Sequence, residues 1–462
     1  MKINFRHIPA ALLLATATLP AAAQEFRSSY FMQTSNFRHQ MNPALLDSSY
    51  VAIFLGNLNV GTTGNIGLKN FVYKTDPAVW GYELGTFMHP SVSAGEFLGG
   101  LHDKNRADVY LNMNLVSVAF KALGGSNLVE LNLRSNTNVS LPKELFEFMK
   151  TTGSKEHYSL ENIGMRTQNY LELALGHSHS INEKLTVGAK MKLLFGAAYA
   201  DLDVNRLDVT MNGDQWRIQG DARLKAAILK SELTHEGPDK NSEDGRPRVD
   251  GLDDVSFSLP GFGLGFDLGA TYKVMDGLTV SAALTDLGFI SWSGVKQASS
   301  AGDYTFDGFE DIHVSGDNKE NKLGDQFEQL GDDLGDMFAL YDDGEGSHTQ
   351  ALAATLNLGA EYELPYYKKL RFGFLYTSRL SGLYSWHQGM LSANVRPVKW
   401  FEATLNTAVS STGWTLGAAA SFKARHFNFY VGTDRFFGKV SKEFIPLNNL
   451  NANVNFGMTF PL

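Results

Sequence analysis

Hydrophobic residues recur at every second position over long stretches of this chain, most regularly between Gly261 and Trp292. On the first arm Phe262, Leu264, Phe266, Leu268, Ala270, Tyr272 and Val274 share one parity, while Gly261, Gly263, Gly265, Asp267, Gly269, Thr271 and Lys273 share the other. Strand side chains alternate faces with a period of two, so one face of this arm is apolar and the other small or polar. Asp276-Gly277 supplies a tight-turn signal, after which Leu278, Val280, Ala282 and Leu284 resume the apolar parity. Each arm runs about a dozen residues, against roughly 5–6 for an ordinary strand and ~9–11 for a strand that crosses a bilayer. The pattern predicts a hairpin of an antiparallel transmembrane β-barrel.

The same alternation predicts strands at Tyr50 to Val60, Asp108 to Ala122, Asn127 to Ser140, Gln168 to Ile181 and Leu185 to Tyr199. After the central hairpin it predicts Ala351 to Leu364, Lys369 to Leu380, Gly389 to Pro397, Phe401 to Ser410, Trp414 to Lys423, Phe427 to Phe436 and Leu450 to Leu462. A further pair, Asp201 to Met211 and Trp216 to Leu229, turns about Asn212-Gly213 and suits either the wall or a hairpin rising above it. A barrel with both ends on one side needs an even number of strands, so the choice is fourteen or sixteen, and fourteen is the expectation. Insertions at the opposite end are expected near 77–107, 141–167, 231–260 and 303–349. Short helices are predicted within them: one capped by Ser93 with Glu96 three residues on, and one over 142–150 with Ser140 as a candidate cap. Leu323, Phe327, Leu330, Leu334 and Phe338 carry the helical spacing of a third.

Mean hydropathy is −0.17 and 43% of residues are hydrophobic, values ordinary for a soluble protein and equally ordinary for a barrel whose strands are half apolar. The amino terminus changes the picture. Lys2 and Arg6 precede an apolar run from Ile8 to Leu19 and a small-residue site at Ala21-Ala22-Ala23, the layout of a secretory signal peptide over 1–23. The run is too short for a membrane helix of roughly 20 residues. The chain has no cysteine, which excludes disulfides, thiolate metal sites, a cysteine nucleophile and a lipidated amino-terminal cysteine. Loss of residues 1–23 removes two basic residues and no acidic ones, moving the net charge from −9 to −11. That sign argues against nucleic acid. Residues 303–346 hold fourteen of the acids and two lysines, a net of −12 that leaves about +1 for the rest of the chain after residue 23.

Residues 24–48 read as either a lead-in or a hatch folded into the lumen, and they end in Asn42-Pro43-Ala44 just ahead of the first strand. That tripeptide at that place is similar to the outer-membrane barrels related to FadL-type long-chain fatty-acid transporters, and to barrels associated with type IX secretion. Leu141-Pro-Lys-Glu-Leu-Phe-Glu-Phe, Pro260-Gly-Phe-Gly-Leu-Gly-Phe-Asp-Leu-Gly-Ala-Thr-Tyr and Asp286-Leu-Gly-Phe-Ile-Ser-Trp together resemble a largely uncharacterised barrel family of the Bacteroidota, a domain of unknown function. The resemblance implies a barrel in the outer membrane, with lipid, lipopolysaccharide and the barrel-assembly machinery as partners, Asn42, Pro43 and Ala44 as the hatch motif, and passive passage of a small hydrophobic solute. It leaves open a scaffold or secretion-associated barrel that holds surface partners through its loops. The carboxyl terminus, Phe460-Pro461-Leu462, departs from the aromatic last residue usual in barrel-assembly signals.

Candidate chemistry is sparse. The glycines of Gly261-x-Gly263-x-Gly265 stay in strand phase rather than opening a helix, so they do not form a phosphate loop. His177 and His179 share one strand face without a third ligand nearby, and the acidic insertion lacks the spacing of a calcium loop. No serine or histidine lies in a nucleophile motif. The expectation is therefore a non-enzyme without cofactor or metal. Asp267, Glu361, Glu363, Arg371 and Lys423 fall on the inward parity, as they should, because a charge on the lipid face costs up to ~2–4 kcal/mol near the midplane.

Overall fold

Alternation carries through to pairing. The computed structural model describes residues 3–4, 25–54, 56–80, 83–151, 154–212, 215–235, 245–300, 303–306, 340–436 and 451–462. In it fourteen strands pair antiparallel and close into one barrel. They are β1, in two pieces at Tyr50–Ile53 and Asn57–Gly64; β2, Lys104–Ala122; β3, Gly125–Pro142; β4, His157–Ser180; β5, Leu185–Asn212; β6, Gly261–Met275; and β7, Leu278–Ser300. Then follow β8, in two pieces at Leu340–Ala351 and Ala354–Glu363; β9, Leu370–Leu380; β10, Trp386–Val398; β11, Phe401–Ser410; β12, Gly413–Lys423; β13, Asn428–Thr433; and β14, Ala452–Pro461. Each pairs with its chain neighbour, and β14 returns to both pieces of β1.

One end of the barrel is made of tight turns. Leu123 and Gly124, with φ of 55° and 74°, connect β2 to β3, the left-handed pair that suits the twist of a hairpin. The opposite end carries the long insertions. There the upper half of β5 continues past the end of β6 and pairs with Gln215–Ile228, which lies beside the upper end of β7. The uncertain hairpin therefore stands above the ring, and the wall has fourteen strands. Around it the loops fold into a layer of their own. Phe71, Phe87, Phe97, Phe146, Phe148 and Trp216 lie in one buried apolar cluster.

Three local expectations are corrected. The first strand ends at Ile53 and resumes at Asn57, and Phe54 adopts φ 44°. The ring stays closed because Phe54 N donates to Leu115 O and Met458 N to Gly56 O, each at 2.9 Å. Helix Lys143–Lys150 has Pro142, not Ser140, at its N-cap, and no side chain caps it. Ser93 does cap Ala94–Gly99, accepting from Glu96 N at 3.2 Å. Finally, β4 begins at His157 and β8 at Leu340, inside stretches expected to be insertion. Apart from Ile3–Asn4, the expected leader lies outside the described residues, as does the amphipathic helix at 323–338.

The two faces of the sheet separate as the alternation requires. Phe266 on β6 and Val454 on β14 are 48% and 44% exposed on the outer face, and Leu391, Leu405 and Val409 are more so. Inward positions such as Asn112, Asn132, Glu172, Lys192, Asp267, Asn394 and Glu402 are buried. This inversion, greasy outside and polar inside, is the pattern of a barrel in lipid. No helix among the described residues is long and apolar enough to cross a membrane.

Candidate functional site

What fills the barrel is the stretch of chain just ahead of its first strand. Residues 25–48 form short turns at Arg27–Ser29, Asn36–Gln40 and Pro43–Leu45 and are buried almost throughout. Pro43 holds Asn42 extended, at φ −154°. From there the Asn42 side chain accepts from Ala44 N at 3.0 Å and donates to the Tyr30 hydroxyl at 3.2 Å and to Ala270 O of β6 at 3.3 Å. Ser178 of β4 donates to Ala44 O at 3.4 Å. The tripeptide thus ties the segment to β4 and β6, the two strands that flank β5.

Inward glycines form the seats. A Cβ on Gly269 would come within 2.1 Å of Asn42 Oδ1, and one on Gly188 within 2.4 Å of Ala44 N. Gly359 accommodates the Tyr30 ring, Gly373 the Phe31 ring and Gly432 the Phe26 ring in the same way. Close approach of a second piece of chain is what a strand glycine permits. Read as sequence, these were simply small residues on the polar parity.

Two wall carboxylates hold the segment's backbone. Glu402 of β11 accepts from Gln33 N at 3.2 Å, Thr34 N at 2.9 Å and Thr34 Oγ1 at 2.7 Å. Arg371 donates to the same carboxylate, to Glu361 at 2.6 Å and to Phe31 O at 3.1 Å. Asp434, just past β13, accepts from Arg27 N at 3.0 Å, from Ser28 N at 2.7 Å and from the Ser28 hydroxyl. The segment adds no strand to the sheet; these attachments to the wall run through side chains.

A second charged cluster lies beside it. Lys192 of β5, 2% exposed at its side chain, pairs with Asp267 at 2.8 Å, Asp286 at 2.7 Å and Glu172 at 3.5 Å. Arg134 of β3 bridges Glu172, at 3.4 Å, to Glu25 of the segment. Lys190 pairs with Glu130 at 2.8 Å and reaches His39 of the segment at 2.9 Å. Such buried ions are tolerable only in mutually satisfying networks. Asp286 faces inward because Thr285 and Asp286 both oppose Asp267, a bulge in which Asp286 takes φ 58°.

Of the charges expected inside, Asp267, Glu361 and Arg371 belong to these clusters. Glu363 and Lys423 keep the inward parity but lie at the last registers beside the short turns, outside both clusters, and Lys423 is exposed. Glu25, Arg134, Glu172, Lys190, Lys192, Asp286, Glu402 and Asp434 were missed. His177 Nδ1 meets Asn127 Oδ1 at 3.0 Å, and among the described residues no group of three or more His, Cys, Asp or Glu is placed to hold a metal.

The segment divides the lumen. On the short-turn side a vestibule of about 570 Å³ opens between Ala44–Asp47 and the Ala122–Ser126 turn. On the other side a cavity of about 50 Å³ lies between Glu25, Arg27 and Met41 of the segment and inward residues of six strands, among them Arg134, Asp286 and Arg379.

The model of a family of unknown function (DUF5723) matches residues 43–434. No curated protein matches. Among solved structures, the chain is similar to the toluene transporter TodX of P. putida, at TM-score 0.41 and 10% identity over 92% of this chain and 93% of that one. It is similar to the toluene transporter TbuX of Ralstonia pickettii, at TM-score 0.41 and 10% identity over 91% and 92%. A Pseudomonas aeruginosa FadL homologue gives TM-score 0.38 and 11% identity over 100% and 97%.

Proposed function

This chain belongs to DUF5723, a family of unknown function, and we propose that it is an outer-membrane conduit for a small solute, gated by residues 25–48. The observation that carries the reading is the way the segment is held: seated on glycines and bonded through side chains, it can leave without breaking the sheet. A signal-like leader and an apolar outer face support the address. The resemblance stated above implies a hydrophobic solute. The lumen favours a polar one, because Glu25, Arg27, Arg134, Asp286 and Arg379 face the cavity on the far side of the segment.

The test is conductance of the purified protein in planar bilayers. Deletion of residues 25–47 should open the pore. Ser28→Cys with Asn406→Cys, whose native side chains meet at 2.7 Å, should keep it shut when bridged by a short bifunctional thiol-alkylating crosslinker, with no other thiol in the chain to interfere. A deleted protein that neither conducts nor admits any solute sinks the proposal. A second reading, a scaffold acting through its loops, draws support from the apolar core of the long-loop layer. It expects crosslinking in cells to recover a defined partner that is lost when residues 303–346 are removed.

A further inference from the structure

The cavity above the segment has an unbalanced lining. Three arginines, Arg27, Arg134 and Arg379, line it against two acids, Glu25 and Asp286. Most of these charges are committed. Arg134 serves Glu25 and Glu172. Asp286 is held by Lys192 at 2.7 Å. Arg27 donates to Gln388 at 3.3 Å and its guanidinium lies 4.4 Å from the centre of the Trp386 ring. Arg379, on the inward parity of β9 next to Thr377, has no side-chain hydrogen-bond or ion-pair partner among the described residues, and the carboxylates of Asp286 and Asp108 feel its charge only from beyond ion-pair distance. An uncommitted guanidinium in a confined, partly desolvated space attracts an anion strongly, because water no longer screens it fully.

We propose that this cavity binds the carboxylate of a two- or three-carbon acid, with Arg379 as its principal ligand. The inference rests on the conduit reading, for which it names the class of solute. Charge selects a monoanion, since the lining carries one positive charge in excess. Size selects a short one: at roughly 10–15 Å³ per water, a cavity of about 50 Å³ has room for about three to five heavy atoms. Chemistry favours carboxylate over a spherical halide, since the planar guanidinium fork makes paired hydrogen bonds to two coplanar oxygens.

The experiment is equilibrium dialysis of radiolabelled propionate against the full-length protein in detergent at neutral pH. Unlabelled propionate, propionamide, propylammonium, chloride and inorganic phosphate serve as competitors. Propionate should bind and be displaced by itself but not by the amide or the amine. Arg379→Gln should weaken binding at least about tenfold, as expected for loss of a charge-assisted contact, and Arg379→Lys, which keeps the charge but not the fork, should fall between. Lys368→Gln, on an exposed turn at the other end of the barrel, should change nothing. Retained heat-modifiable migration establishes that each variant is folded, and Arg379→Lys carries the test should the glutamine variant not fold. Equal competition by propionamide, stronger competition by chloride or phosphate, or undiminished binding after loss of the Arg379 fork overturns the inference. Permeation without propionate binding overturns it while leaving the conduit standing; binding without permeation does the reverse.

Discussion

Replacing Glu402 by glutamine isolates the strongest attachment of the luminal segment. The buried carboxylate receives three hydrogen bonds from Gln33 and Thr34 and a fourth from Arg371. Glutamine has nearly the same shape, but one of its two terminal atoms becomes a donor. If the amide nitrogen takes the position of Oε2 it meets Thr34 N–H; in the position of Oε1 it meets Gln33 N–H and the Arg371 guanidinium. Either orientation sets donor against donor. About two bonds to an ionised acceptor are lost, each worth roughly 1.5–3 kcal/mol, or about 3–6 kcal/mol together. Arg371 is not stranded, because Glu361 holds it at 2.6 Å. The β11 ladder is backbone-bonded on both sides and is untouched. At 1.4 kcal/mol per factor of ten, the displaced state of the segment should gain roughly 10²–10⁴ in relative population. Single-channel recording reads this as open time, and limited proteolysis of the folded barrel reads it as cleavage within residues 25–48. Unchanged open time together with an equally resistant segment, in Glu402→Gln and in the double variant with Asp434→Asn, would refute the reasoning.

Three further outcomes follow from the same geometry. Gly269→Val sets a side chain where Asn42 Oδ1 now lies; it should expel the Asn42-Pro43 turn, raise protease cleavage near it and leave heat-modifiable migration intact. Lys192→Met strands Asp267 and Asp286 and should lower stability by about 3–5 kcal/mol in urea or thermal unfolding, with much of the loss restored when both aspartates become asparagine. In the long-loop layer, burial first and then the Lys150 ammonium hold His89 below its usual pKa of 6.5. The unfolded layer therefore binds the proton more readily, so its stability is complete above about pH 6.5 and declines as pH falls below that value. Hydrogen exchange over residues 65–103 at pH 7.5 and pH 5 should show the loss, and His89→Gln should abolish the difference.

The wall was legible because alternation is a local signal. Phe262 to Val274 needed no partner to be recognised, and parity alone put Asp267, Glu361 and Arg371 inside. The bulge at Asp286 was not legible: strict alternation from Thr285 assigns it to lipid, and only the register against Asp267 turns it inward. Nor could parity pair the charges. Arg371 meets Glu402 across 31 residues of sequence and Lys192 meets Asp286 across 94, separations fixed by register and barrel closure rather than by any motif. The break at Phe54 was hidden for a similar reason, since Tyr50 to Val60 alternates acceptably on either side of it. Asn42-Pro43-Ala44 could be singled out from sequence, but its seat could not, because Gly188 and Gly269 acquire meaning only when the tripeptide lies against them.

The segment joins the wall at Tyr50, whose partners Pro461 and Ala119 lie at the short-turn rim. It is anchored beside the short-turn mouth, with Ala44–Asp47 lining that mouth. On the proposed gating, withdrawal is a swing on a tether rather than an unthreading. On that reading repeated cycles leave the ring uncut, because none of the segment's attachments belongs to the sheet.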